Sequence, residues 1–176
     1  ALFEFPVEEQ KAFLNKIKEP QNDIERSYLQ YKCQMRMMGF IRKLICNIFS
    51  MVLLPYYYLK NHTKENNEHV DIVFMSNRNS DRIIPRSLKS KYKVWKRVES
   101  YGEYLDKEDR KFFLTIVKQY PFSFYFLLKI LVKLRYFSYE IHCCKPQAIL
   151  SCEEFSFTSS IMTYYCNSKS TKHLNV

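Results

Sequence analysis

The residues best placed to do chemistry lie in one short run, 152–160, which holds Glu153 and Glu154 and then Ser156, Thr158 and Ser159. The run follows an apolar segment at 147–151 that reads as a buried strand, and it leads into a helical pattern over 157–167. Two adjacent carboxylates thus leave a strand end in the company of Phe155 and Phe157. Apolar surroundings penalise the charged form and raise a carboxyl pKa, which suits a general base that takes a proton from a hydroxyl group. Ser156, Thr158 and Ser159 fall where a helix N-terminus offers hydroxyls and free N–H groups to an acceptor or a phosphate. The same residues also fit a local use, in which Glu153 and Glu154 complement the helix dipole and Ser156 is the N-cap.

A second polar run, 76–82, follows another apolar segment at 70–75. Arg78 and Arg82 there suit an anionic group, with Ser76 and Asn77 beside them, although a plain solvated loop has the same composition. Eight Lys or Arg residues lie between Arg78 and Arg97, with Tyr92 and Trp95 among them. Such a stretch fits phosphates, stacked bases, anionic lipid or simply water.

Composition narrows the classes. The chain has 176 residues and a formal net charge of +10, which favours anionic partners. Only Gly39 and Gly102 are glycines, so neither a Walker loop nor a dinucleotide-binding loop exists here. Of the six cysteines none forms a C-x-x-C pair, and Cys143 and Cys144 are adjacent. They read as reduced thiols, and the spacing of His142, Cys143, Cys144 and Cys152 fits no usual zinc pattern, so no metal is expected. The four histidines, His62, His69, His142 and His173, are scattered, and no serine–histidine–acid signature stands out.

The elements that must position these groups follow from periodicity. A short amphipathic helix is expected over 7–18. A second helix begins at Asn22 or Asp23 and runs, by steps of three and four, to a stop or kink at Pro55. From Leu44 to Leu59 no charged residue occurs, while Arg36, Arg42, Lys43 and Lys60 flank the segment and Tyr56, Tyr57 and Tyr58 sit near its end. That pattern fits a helix packed on its own domain or one at a membrane interface. Residues 61–69 are polar and read as a linker. Strands are expected at 70–75 and from Tyr92 to Val98. Asp106 is positioned to cap a helix to about Tyr120, with Asp109 as its box partner. A long apolar helix follows to about Cys143, then the strand at 147–151, the helix at 157–167 and a last strand from Lys172. Strand, helix, strand at the end is a βαβ unit, which requires parallel pairing. The fold class expected is therefore α/β: an open parallel, Rossmann-like sheet with flanking helices over 70–176, preceded by a helical N-terminal extension over 1–60.

The segment from Pro146 through Ser151, Glu153, Glu154, Ser156 and Thr158, followed by Lys172 to Val176, resembles the N-terminal half of GT-B-type glycosyltransferases for capsular and other surface polysaccharides. In proteins of that kind a strand ending in acidic residues precedes a Ser/Thr-rich helix start. The resemblance covers the last third of the chain closely and the strand at 70–75 loosely; the lack of a Gly-rich turn departs from many members. It implies two Rossmann-like halves, with Glu154 or Glu153 as base; the polar residues singled out above, Ser76, Asn77, Arg78, Arg82, Ser156 and Thr158, are then the expected substrate contacts. It further implies a nucleotide-sugar donor held mostly by a second half beyond Val176, this chain being a fragment. The partners it implies are a glycan acceptor, lipid-linked or at the cell surface, and an anionic membrane, with the protein on the cytoplasmic face. A basic nucleic-acid-binding module or a membrane-associated module without activity is the alternative that the charge alone supports.

Overall fold

The structure, a computed structural model, describes residues 8, 12, 19–36, 38–61, 69–75, 84, 86–97, 103–151 and 156–175. Among them it is a mixed α/β protein, mostly helical, with one small parallel sheet. Of the expected helix at 7–18 only residues 8 and 12 are described, both helical, and of the expected linker at 61–69 only its two end residues are described.

The helical front is two helices where the periodicity predicts one. Helix α1 spans Asp23–Arg36 and α2 spans Phe40–Leu59. Asn22 opens α1 by accepting the Glu25 N–H at 2.9 Å. The chain then leaves the helix before Gly39, which is extended at φ −59°, ψ 154°. Glycine is the weakest helix former after proline, and a three-and-four spacing that continues past it conceals the break. Pro55 neither stops nor ends α2 but lies inside it. Proline leaves the carbonyl four residues back without its helical donor. The last turn is nevertheless held from outside, because Arg135 Nη1 donates to the Tyr57 carbonyl and Arg110 Nη1 to that of Tyr58.

Sheet and remaining helices alternate as the sequence predicts, with one helix more. Strand β1 is Ile72–Met75, α3 is Arg86–Lys91 and β2 is Val94–Arg97. Helix α4 is Lys107–Gln119, α5 is Phe124–Cys144, β3 is Ala148–Ser151, α6 is Ser159–Ser168 and β4 is Lys172–Asn175. The short α3 is the addition; six residues carry too little periodicity to be read. Asp106 and Asp109 form the expected capping box of α4. The strand order is β2-β1-β3-β4, all parallel. At the amino edge Asp71 fastens the strand starts. Its carboxylate accepts Lys93 N–H at 2.8 Å, and its carbonyl accepts Gln147 N–H at 2.9 Å.

Alternation along the strands sends side chains to two faces. Val73 and Ile149 enter the main core with Phe126, Ile130, Leu134 and Phe137 of α5 and Ile161 and Tyr165 of α6. Ile72, Phe74 and Leu150 face the other way, onto Ile84 and Leu88. Helix α1 belongs to the main core: Ile24 and Tyr31 are buried in it, and Ser27 Oγ accepts the Ile161 N–H at 3.2 Å.

Candidate functional site

The carboxyl edge of the sheet is where the sequence places the chemistry, and β3 ends there at Ser151. Register pairs Ile149 with His173 and Ser151 with Asn175, so Ser151 and His173 are diagonal neighbours on one face. Ser151 Oγ lies 2.8 Å from His173 Nε2, and Thr163 Oγ1 of α6 lies 2.7 Å from Nδ1. The direction of this chain follows from counting protons. Thr163 has a single hydroxyl hydrogen and donates it to the Ser159 carbonyl at 3.1 Å, so it accepts from Nδ1–H of the histidine. In the neutral ring Nε2 is then an acceptor, and the Ser151 hydroxyl donates to it. The tautomer is assigned by this bonding. A hydroxyl aimed at an imidazole has the polarity of a nucleophile and its base. Ser151 is only 1% exposed, however, so the geometry makes the relay a holder of the β3 end. The Phe137 and His173 rings meet edge to face, with 5.2 Å between centroids.

The predicted site residues divide sharply. Ser76, Asn77, Arg78, Arg82, Glu153 and Glu154 lie outside the described residues. Ser156 and Thr158 are described, and their hydroxyls meet at 2.7 Å while Ser156 Oγ accepts the Thr158 N–H at 3.3 Å. Thr158, not Ser156, is the N-cap of α6, and it is buried. The two residues are thus brought together in a turn at the helix start.

The densest polar cluster among the described residues lies at the opposite, amino edge. His142 sits near the end of α5, just before β3, and Lys169 follows α6, just before β4. Both reach the capping box of α4. His142 Nε2 is 3.1 Å from Asp106 Oδ2 and 3.8 Å from Asp109 Oδ2. Lys169 Nζ is 3.2 Å from Asp109, 3.6 Å from Asp106 and 3.0 Å from Glu108. Asp109 is fully buried and also accepts from Tyr165 OH at 2.8 Å and from Ser138 Oγ.

Electrostatics show a cluster that satisfies itself. Burial raises the Asp106 carboxyl pKa, but the Asp109 backbone N–H, Lys169 and His142 outweigh it and hold the carboxyl below its ordinary value. Burial works against the Lys169 ammonium, yet its bond to Glu108 and the charges of Asp109 and Asp106 push its pKa up. Burial, with Asp109 next to it, drives the Tyr165 phenol upward and keeps it neutral. Asp106, Asp109 and His142 are close enough to share a cation. Lys169 already supplies one there, so the donor set does not fit a metal. Cys143, Cys144 and Cys166 form no disulfide among the described residues, and burial pushes the Cys166 thiol up to about 12. Sequence reasoning found the Asp106–Asp109 box but neither Lys169 nor Tyr165. It also set His173 aside, although the βαβ expectation already put it one strand from Ser151.

The fold is that of a mixed α/β protein, mostly helical, around a small parallel sheet. No protein-family model, no curated protein and no solved structure matches this chain.

Proposed function

We propose that the chain is the acceptor-side domain of a GT-B-type glycosyltransferase in cell-surface polysaccharide synthesis, built on a Rossmann-like half-sheet. The observation that carries the reading is the pairing of the two central strands. Met75 and Ser151 are parallel register partners, so the runs beginning at 76 and 152 continue from neighbouring strand ends on one edge. From β1 to β2 the chain moves one way across the sheet, and from β3 to β4 it moves the other way. Open parallel sheets bind ligands at such a reversal, outside the carboxyl ends of the strands.

On this reading Glu154, with Glu153 beside it, takes the proton of an acceptor hydroxyl as its oxygen attacks the anomeric carbon. The bond from that carbon to the nucleotide phosphate breaks, and the nucleotide leaves. Ser76, Asn77, Arg78, Arg82 and Ser156 contact the acceptor. Thr158, buried at the start of α6, positions Ser156 through their hydroxyl contact, and the His173 relay positions the end of β3. The test is transfer from a panel of nucleotide-sugars to lipid-linked and polysaccharide acceptors by the protein that carries this chain. Glu154→Gln is expected to lower the rate by roughly a hundredfold to ten-thousandfold, the range typical of a lost general base. Absence of transfer and of donor hydrolysis by folded protein overturns the reading. Full activity in both Glu153→Gln and Glu154→Gln removes the base assignment.

A further inference from the structure

Helix α2 turns most of its apolar side chains away from the core. Its inward stripe carries Asn47 and Ser50 along with Leu54 and Tyr57: the Asn47 side chain accepts the Tyr125 N–H at the start of α5, and Ser50 is 2% exposed with its hydroxyl on the Cys46 carbonyl at 2.6 Å. Its outward face carries Ile41, Ile48, Phe49 and Val52, which are 72%, 56%, 65% and 68% exposed. A helix covering a water-soluble core shows the opposite arrangement. A continuous apolar face of this length marks an interaction surface.

Charge identifies the partner. No Asp or Glu lies between Glu25 and Glu65, whereas Lys32, Arg36, Arg42, Lys43, Lys60 and Lys64 all do. Arg36 and Arg42 are exposed near one end of the apolar face and Lys60 at the other, beside Tyr56. An apolar helix face with cations at both ends and tyrosines at one is complementary to the boundary between anionic headgroups and acyl chains. We infer that α2 docks the protein on an anionic lipid bilayer, lying in the membrane plane with only its outward face inserted.

Twenty residues are enough to cross a bilayer, but the packing opposes crossing. The contacts Asn47–Tyr125 and Tyr57–Arg135 share one sequence offset, so α2 and α5 run parallel for at least ten residues, about 15 Å. Helix α5 is the central helix of the main core, and Arg135 on it is fully buried with Nη2 2.8 Å from Glu103. Crossing would expose Asn47 and Ser50 to hydrocarbon and take the Tyr57 and Tyr58 carbonyls from their arginines.

Flotation of the whole chain with phosphatidylcholine vesicles, with and without phosphatidylserine, tests the inference without any sugar donor, so its outcome is separable from that of the transferase assay. The chain is expected to float with the anionic vesicles and much less with the neutral ones. Ile48→Glu/Val52→Glu is expected to abolish flotation with unchanged circular dichroism. Arg36→Glu/Arg42→Glu, which leaves the apolar face intact, is expected to weaken binding to anionic vesicles by roughly tenfold or more and to spare what binding remains on neutral ones. In Phe49→Trp, fluorescence quenching is expected to be stronger from lipids brominated near the headgroup than from those brominated at the chain end. Undiminished flotation of Ile48→Glu/Val52→Glu overturns the inference. So does deepest quenching at the bilayer centre, or a vesicle-free dimer that buries the outward face and does not float.

Discussion

Helices α2 and α5 have nearly the same length, 20 and 21 residues, and both are largely apolar, yet they end in opposite environments. The more charged of the two is the buried one. Helix α5 carries Lys129, Lys133, Arg135 and Glu140, whereas α2 carries Arg42 and Lys43 alone. Helix α5 lies beneath the Val73 and Ile149 face of the sheet and also meets α2, α4 and α6, so Phe126, Ile130, Leu134 and Phe137 are fully enclosed. Its charges are accommodated singly: Lys129 lies over the Tyr125 ring, and Arg135 pairs with Glu103 and stacks on Tyr57. Helix α2 has α5 as its main neighbour, meets α4 through Tyr58, and exposes its outer face. Hydropathy therefore measures how much a helix gains from burial; the number of elements around it determines how much it is buried.

The largest expected effect that breaks this contrast is at Arg135. Arg135→Ala leaves Glu103 without its partner and the Tyr57 carbonyl without its donor. A loss of roughly 3 kcal/mol is expected in urea unfolding, at the low end for a broken buried pair because Glu103 is partly exposed. The end of α2 should also become a protease site, which limited trypsin digestion would reveal; unchanged stability and digestion would show that α2 is held by apolar contact alone. Next, Leu134→Ala in α5 should cost about 2–5 kcal/mol through the cavity it leaves, measured by the same unfolding curves.

Asp106→Ala sharpens the comparison from the other side, because Asp106 fastens α4 to His142 of α5 and to Lys169 after α6. The cost expected near neutral pH is about 1 kcal/mol, that of a lost N-cap. Its pH dependence has a definite sign. The folded-state pKa of Asp106 lies below the ordinary 3.8, so the folded protein binds fewer protons than the unfolded chain in that range. The contribution is whole above the unfolded value and fades as pH falls through the folded one. The difference between wild type and Asp106→Ala should therefore shrink on acidification, and a constant difference would count against the carboxylate as its source. Smallest of all, Ile48→Ala on the outward face of α2 should change stability in water by less than about 0.5 kcal/mol, although the same methylenes in α5 are worth several times more.

The two polar constellations carry a related lesson. The amino-edge cluster is rich in charge and yet closed, each carboxylate being met by Lys169, His142, Tyr165 or Ser138. The carboxyl edge is sparse among the described residues, but it is where neighbouring strand ends converge. Half of the amino-edge cluster was legible: the spacing of Asp106 and Asp109 is a capping box in any helix that starts there. Lys169 and Tyr165 were not legible, because their role depends on α6 lying against α4. The Ser151–His173–Thr163 relay was legible only in its parts. A strand ending at Ser151, a crossover helix and a strand beginning at Lys172 were all predicted, but the proton direction needs Thr163 placed beside the ring.

By itself the sequence determined the elements: the apolar runs of β1 and β3, the capping box of α4, the apolar α5 and the parallel β3-α6-β4 unit. Periods of two and 3.6 residues are properties of neighbouring positions, and they specify which side of an element is apolar. Only the tertiary structure decided what covers that side. It set β1 against β3, carried the front helix through Pro55, enclosed α5 and left α2 open. Those outcomes rest on contacts between residues dozens of positions apart, and local spacing holds no record of them.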